Sequence, residues 1–229
     1  MVSYEIDPTI LTPLVPSGTE LDFHHGITFV SMVGFLFLKT RVYGIPIPLH
    51  RNFEEVNLRF YVRRKTNEGW RRGVVFIKEL VPRWAIAFSA RMLYNERYTS
   101  LPMAHHIELL SGERGSGQSI SYSWRHNGID SHLKMVAYGA VQEIRPDSVE
   151  EFISEHYWGY SSQRDGSVLE YRVEHPRWKI REAGDTNLRC ESDDLYGRPF
   201  VDMLKRPPSS AFLAEGSAVR VFKGVRLVG

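Results

Sequence analysis

The sequence predicts a mainly β protein of the α+β class, an antiparallel barrel or curved sheet packed on itself, with a few short helices inserted. Three observations carry that expectation. Apolar residues recur with a period of two in several separated runs; an Asn127-Gly128 pair, the strongest short hairpin signal, lies between two of them; and helical spacing is confined to a few short stretches.

Taken in chain order, Ser3-Tyr4-Glu5-Ile6 reads as the middle of an element, as a start that truncates a longer chain would leave it. Ile27 to Leu38 is the most apolar stretch, but it contains Thr, Ser and Gly and is far shorter than the roughly 20 apolar residues that cross a bilayer. It is expected as a buried strand. In Val56 to Val62 the set Val56, Leu58, Phe60, Val62 alternates with Asn57, Arg59, Tyr61. Gly73 to Val81 (GVVFIKELV) is apolar on both faces, Val74, Phe76, Leu80 against Val75, Ile77, Val81, so both sides are expected to be covered. A helix is expected from Pro82 to about Tyr94, with Trp84, Phe88 and Met92 on one face. Gly112 to Gly117 reads as a hairpin loop, and Ile120 to Trp124 and His132 to Tyr138 as the strands flanking Asn127-Gly128. A second helix begins near Asp147, where Ser148 and Glu151 fit a capping box ahead of the stripe Val149, Phe152, Ile153. Leu169, Tyr171, Val173 and then Val219, Val221, Val225, Leu227 alternate as strands, and Pro199 to Leu204 forms a short helix that ends before Pro207-Pro208. No repeat or linker divides the chain, so residues 1–229 are read as one domain.

Composition narrows the function classes. The 229 residues carry 29 Lys and Arg against 27 Asp and Glu, a net charge of +2, without the cationic surplus of a phosphate-backbone reader, so no nucleic-acid partner is expected. The charge is locally uneven. Arg51 to Arg72 holds basic residues 51, 59, 63, 64, 65, 71 and 72 against acids 54, 55 and 68, whereas Glu143 to Glu155 holds acids 143, 147, 150, 151 and 155 against Arg145. The basic strand pair is a candidate for steering an anionic small molecule. Cys190 alone builds no disulfide, zinc ribbon or Cys-x-x-Cys pair. Glu5, Asp7, Glu20 and Asp22 among Pro8, Pro13 and Pro16 do not read as a secretory signal, and no membrane association is expected. A cytoplasmic protein of bacterial type is the expectation.

The residue types that carry chemistry are few. Lys78 and Glu79 each place one charge in the apolar rows of Gly73 to Val81, where burial would turn a lysine into an amine nucleophile and raise a carboxyl; the plain alternative is a snorkelling or ion-paired lysine. Arg59, a fork for a carboxylate, and Tyr61, a hydroxyl donor, share a row with Asn57 and Glu55, either lining a pocket or facing solvent. His156-Tyr157-Trp158-Gly159-Tyr160 and His175-Pro176-Arg177-Trp178 each set an imidazole beside large aromatics, at the end of a β core or around an aromatic mouth. His24-His25 and His105-His106 are adjacent pairs whose side chains would diverge on a strand, so no metal site is expected. No Gly-rich phosphate or dinucleotide motif and no Gly-x-Ser-x-Gly is present, and no cofactor is expected.

The segments Glu54 to Arg64 (EEVNLRFYVRR), Arg72 to Arg83 (RGVVFIKELVPR), Glu155 to Tyr160 (EHYWGY) and Val173 to Trp178 (VEHPRW) resemble, in order and spacing, the YqjF-like family of uncharacterised bacterial proteins, over nearly the whole chain from about residue 3. Proteins of that family are similar in fold to acetoacetate decarboxylase, which implies a β-cone or barrel of antiparallel strands around a central cavity. The decarboxylase forms a Schiff base through a lysine shortly after the segment corresponding to Ala85 to Tyr98. Here no lysine lies between Lys78 and Lys134; Arg97 and Tyr98 stand where an amine is wanted, and Tyr61 stands where the decarboxylase has a glutamate. The leading expectation is a binder of a small organic acid or carbonyl compound without Schiff-base decarboxylation, with Arg59 as anchor and Tyr61, His105, Tyr157 and Trp178 as lining. The alternatives are a lyase or hydrolase working through Lys78 or Glu79, and a structural or interaction protein with a filled core. Oligomeric state is not legible.

Overall fold

A computed structural model describes residues 1–42, 45–46, 52–82, 98–112 and 115–227. Its strands are β1 (Val2–Ile6), β2 (Glu20–Leu21), β3 (Thr28–Phe37), β4 (Arg41–Val42), β5 (Ile45–Pro46), β6 (Phe53–Thr66), β7 (Gly69–Val81), β8 (Tyr98–Ser100), β9 (Met103–Gly112), β10 (Gly115–His126), β11 (Ile129–Tyr138), β12 (Gln142–Glu143), β13 (Trp158–Ser162), β14 (Val168–Glu174), β15 (Lys179–Arg189), β16 (Ser210–Ala214), β17 (Arg220–Val221) and β18 (Val225–Leu227). The helices are short: α1 (Pro8–Leu11), α2 (Val149–Ser154), α3 (Asp193–Tyr196) and α4 (Arg198–Leu204). Among the described residues, no helix is long and apolar enough to cross a membrane.

One continuous sheet runs β17-β14-β13-β7-β6-β3-β1-β16-β15-β11-β10-β9, with β18 on β14, β2 on β6, β8 on β7 and β12 on β15. Pairing is mostly antiparallel, as expected. It departs from that where β13 and β8 both run parallel to β7, because each returns to the sheet through a long connection rather than a hairpin. Asn127 and Gly128 take left-handed conformations, φ 48° and 80°, and close the β10–β11 turn between His126 and Ile129. The β9–β10 hairpin reaches Gly112 and resumes at Gly115, at the predicted loop tip. The helix expected over Pro82 to Tyr94 lies almost entirely outside the described residues.

The sheet has two different faces. Register places Val56, Leu58, Phe60 and Val62 of β6 with Leu80, Lys78, Val75 and Gly73 of β7 on one of them. This apolar face packs against Val2 and Tyr4, Met32, Tyr122 and Trp124, Leu133, and Val201 and Met203 of α4. Burying each of these large side chains stabilises the fold by about 1.5 to 3 kcal/mol. On the opposite face α2 lays Phe152 and Ile153 over Phe29, Tyr61, Val74 and Phe212.

The strict alternation expected through Gly73 to Val81 is broken by a bulge: Leu58 pairs with Lys78 but Arg59 pairs with Phe76, leaving Ile77 over. Lys78 thereby shares a face with Val75, and Glu79 with Phe76 and Val74. The apolar row near the C-terminus is not a core row. Val219, Val221 and Val225 are 49%, 51% and 63% exposed, since the chain there forms two very short strands at the margin of β14 rather than one continuous strand.

Candidate functional site

The face opposite the apolar core carries a continuous polar row. On β6 it reads Glu55, Asn57, Arg59, Tyr61; β7 contributes Glu79 opposite Asn57, and Arg72 opposite Arg63. Glu55, Asn57 and Glu79 are each 2% exposed and Tyr61 is 1%. The sheet thus forces two carboxyl groups and an amide into a dry environment side by side.

Hydrogen bonds organise the upper part of this row. Asn57 Nδ2 donates to Glu55 Oε1 at 3.0 Å, and Tyr98 on β8 donates its hydroxyl to Glu55 Oε2 at 3.2 Å. Burial pushes the Glu55 carboxyl up to about 7, against the lowering influence of Asn57, Tyr98 and the Arg59 charge. Burial, then Glu55 and Glu79, hold the Tyr98 phenol well above its ordinary range. Burial disfavours the charged carboxylate, so Glu55 is placed to hold a proton near neutral pH. Asn57 Oδ1 and Arg59 Nε are buried without a hydrogen-bond partner among the described residues. Native structures rarely leave such atoms unsatisfied.

Lower down, the row is tied to neighbouring elements. Arg59 Nη2 donates to the Ile153 carbonyl of α2 at 3.3 Å. The Tyr61 hydroxyl lies 2.6 Å from Ser31 Oγ, which is 2.7 Å from Ser3 Oγ, a buried chain across β6, β3 and β1. Asp22 follows β2 and takes Arg72 Nε at 2.6 Å, while His156, just beyond α2, meets the same carboxylate oxygen at 3.1 Å. Burial pushes the His156 imidazole down to about 4, opposed by Asp22. Arg72 and Phe152 then face an open cleft of about 270 Å³, completed by His24, Asp147, Ser148, Glu151 and Glu155.

The sheet divides the candidates singled out from sequence. Arg59, Tyr61 and Glu79 share the polar row. Lys78 projects from the opposite face, beside Leu58. His105 on β9 is also away from the row: its Nδ1 lies 3.3 Å from Glu54, which alternates onto the apolar face with Val56. Tyr157 and Trp178 do come together, as the ends of a stack whose middle ring is His175, with centroids 4.9 and 4.1 Å apart. The stack meets the cleft through Tyr157, whose hydroxyl donates to Glu155 Oε2 at 2.6 Å. The basic strand pair is largely neutralised: Arg63 pairs with Glu20, Arg64 and Arg71 with Glu170, and Arg72 with Asp22. Glu55 and Asn57 were visible in the alternation. The Asp22–His156 contact joins positions 134 residues apart and leaves no local pattern.

His24 and His25 correct an expectation. They occupy a tight turn, not a strand: His24 and Ile27 bridge, and His25 and Gly26 have φ of 48° and 81°. Their rings lie 4.3 Å apart instead of diverging.

The fold is that of acetoacetate decarboxylase-like proteins. The structure matches an acetoacetate decarboxylase-like enzyme from Sphingomonas wittichii RW1 with a TM-score of 0.59 at 14% identity, over 99% of this chain and 89% of that one. It matches acetoacetate decarboxylase from Legionella pneumophila subsp. pneumophila str. Philadelphia 1 at 0.55 and 14%, over 99% and 83%. The enduracididine biosynthesis enzyme MppR complexed with pyruvate matches at 0.59 and 10%, over 98% and 83%. Within that fold, residues 1–218 match the DUF2071 family, described as "Uncharacterized conserved protein (COG2071)", and the chain belongs to it. The uncharacterized protein YqjF of Bacillus subtilis (strain 168) is 28% identical over 184 residues, 79% of this chain and 71% of that protein.

Proposed function

We propose that this protein binds a small oxo acid or related carbonyl compound at the row Glu55, Asn57, Arg59, Glu79 and Tyr98, without forming an imine. The observation that carries the reading is the buried carboxyl pair with Glu55 poised near neutral pH, flanked by the unsatisfied Arg59 Nε and Asn57 Oδ1. Protonated Glu55, held by the amide of Asn57 and the hydroxyl of Tyr98, donates to the ligand's carbonyl oxygen, and Arg59 takes its carboxylate. An amine nucleophile is not part of this site, because register turns Lys78 to the other face and no further lysine occurs before Lys134. The pyruvate complex of the MppR fold relative supports the ligand class. A cytoplasmic setting fits a lone cysteine, Cys190, that is buried and pushed up to about 11 by that burial.

The test is calorimetric titration of the protein with pyruvate and with acetoacetate. At least one is expected to bind, and Arg59→Ala is expected to weaken it by about 10- to 150-fold, the loss of a charge-assisted hydrogen bond. Borohydride treatment in the presence of either compound is expected to leave the protein mass unchanged. No binding, an unchanged affinity in Arg59→Ala, or a trapped covalent adduct each overturns the reading.

A further inference from the structure

The cleft edge holds a second constellation, independent of the Glu55 row. His24, His25 and Asp147 each offer one ligand atom, and the three atoms lie within 4.8 Å of one another. His25 Nε2 is 3.2 Å from Asp147 Oδ2. Donors bonded to one zinc-like ion at about 2.0 to 2.2 Å stand roughly 3.4 Å apart in a tetrahedron, so side-chain rotations of about an ångström close the set.

We propose that His24, His25 and Asp147 form a binding site for a divalent late first-row metal ion such as Zn²⁺, Co²⁺ or Ni²⁺. Two imidazoles and one carboxylate are the borderline donor set those ions prefer, in contrast to the all-oxygen sets of Mg²⁺ and Ca²⁺. The backbone holds both halves in place. The turn that presents the histidines is closed by His24 N to Ile27 O at 3.0 Å and Ile27 N to His24 O at 2.9 Å. Asp147 takes a left-handed φ of 60°, and its N–H is gripped by Glu151 Oε2 at 2.6 Å, immediately before the helix cap Ser148. The His24 ring rests on Phe152 with centroids 5.2 Å apart.

The surroundings favour a dication. The same cleft is lined by Glu151 and Glu155, and the nearby cations are already engaged, Arg72 by Asp22 and Arg177 by Glu151. Three protein donors leave coordination positions open toward the cleft, the pattern of a site that also takes water or an exogenous anion rather than of a closed structural site. His25 and Asp147 are largely exposed, with side chains 63% and 77% accessible, so the site is loaded from solvent and its occupancy is not needed for folding.

Titration of EDTA-treated protein, free of any polyhistidine tag, with Zn²⁺ alone tests the proposal. One equivalent is expected to bind, and Co²⁺ is expected to give the visible absorption of a mixed nitrogen and oxygen site. His24→Ala, His25→Asn and Asp147→Asn are each expected to weaken Zn²⁺ binding tenfold or more, the asparagines being chosen because they tolerate the left-handed backbone. His105→Ala with His106→Ala is expected to leave it unchanged. If a variant is misfolded by circular dichroism, the wild-type imidazole proton resonances decide: those of His24 and His25 must shift with the first equivalent of Zn²⁺. Failure to bind one equivalent, or affinities in His25→Asn and Asp147→Asn equal to wild type, overturns the proposal.

Discussion

Glu55 and His156 are buried on the same side of the sheet and titrate with opposite consequences. Between pH 4.5 and about 7 the folded protein keeps Glu55 protonated while the unfolded chain has released that proton, so stability falls as pH rises through this window. Between about pH 4 and 6.5 the unfolded chain binds a proton on His156 that the folded protein refuses, so this group makes stability rise with pH. The two slopes offset each other, and the wild-type profile is expected to be nearly level from pH 4.5 to 6.5. Glu55→Gln exposes the rising limb and His156→Gln the falling one, each on the order of 3 kcal/mol across its window. Urea unfolding at several pH values between 4 and 8 checks this, and two variants with profiles of the same sign would refute it. Part of this was legible beforehand. A period of two over Glu55 to Tyr61 announces which side chains share a row, whereas the fate of each polar tip depends on distant chain. The hydroxyl of Tyr61, a candidate ligand donor, meets Ser31 Oγ, which in turn meets Ser3 Oγ, and no local pattern announces that chain.

Elements place the site through close approaches as much as through periodicity. Gly159 on β13 lies beneath the ring of Tyr171 on β14, and a Cβ built there would meet the Tyr171 ring at 2.1 Å. Tyr171 is one of the groups that raise the Tyr98 phenol, so this contact bears directly on the polar row. Gly159→Ala is expected to destabilise the protein by about 1 to 3 kcal/mol through overpacking and to lower the apparent Glu55 pKa by admitting water. Gly184→Ala, where the nearest atom is 3.4 Å away, is expected to change stability by less than about 0.5 kcal/mol. Equal urea midpoints for the two variants would refute the argument. The capping box at Ser148 and the hairpin at Asn127-Gly128 were readable because their geometry is local: Ser148 does accept from Glu151 N, and Asn127 and Gly128 do take positive φ. The bulge at Ile77 was not readable. An extra residue in one strand is defined only against its partner, so the faces of Lys78 and Glu79 relative to Val74 and Val75 could be assigned only with β6 in view.

At the scale of the molecule, alternation identified the strands but not their order, since hydrophobic period reports which face is buried and nothing about which strand lies alongside. The placement of β1 shows what this conceals. The first residues of the chain form not an edge but a seam. β1 pairs with β3 along its whole length, from Val2 opposite Met32 to Ile6 opposite Thr28, and with β16 through Val2 and Ser3. Among the described residues, it alone joins by strand pairing the part of the sheet that carries β6 and β7 to the part that carries β15, β11, β10 and β9. Val2, Tyr4 and Ile6 are buried at 0%, 3% and 9% exposure, and Ser3 begins the hydroxyl chain to Tyr61. Removing three such side chains from the core forfeits about 5 to 9 kcal/mol, comparable with the whole net stability of a typical domain. Deletion of residues 1–6 is therefore expected to abolish the cooperative urea transition and near-ultraviolet circular dichroism, although every residue of the Glu55 row remains. A synthetic peptide carrying residues 1–11 is expected to restore part of the signal by refilling the seam between β3 and β16. A truncated chain that unfolds cooperatively with an unchanged midpoint would show that the two parts of the sheet hold together without β1, contrary to the connectivity described above.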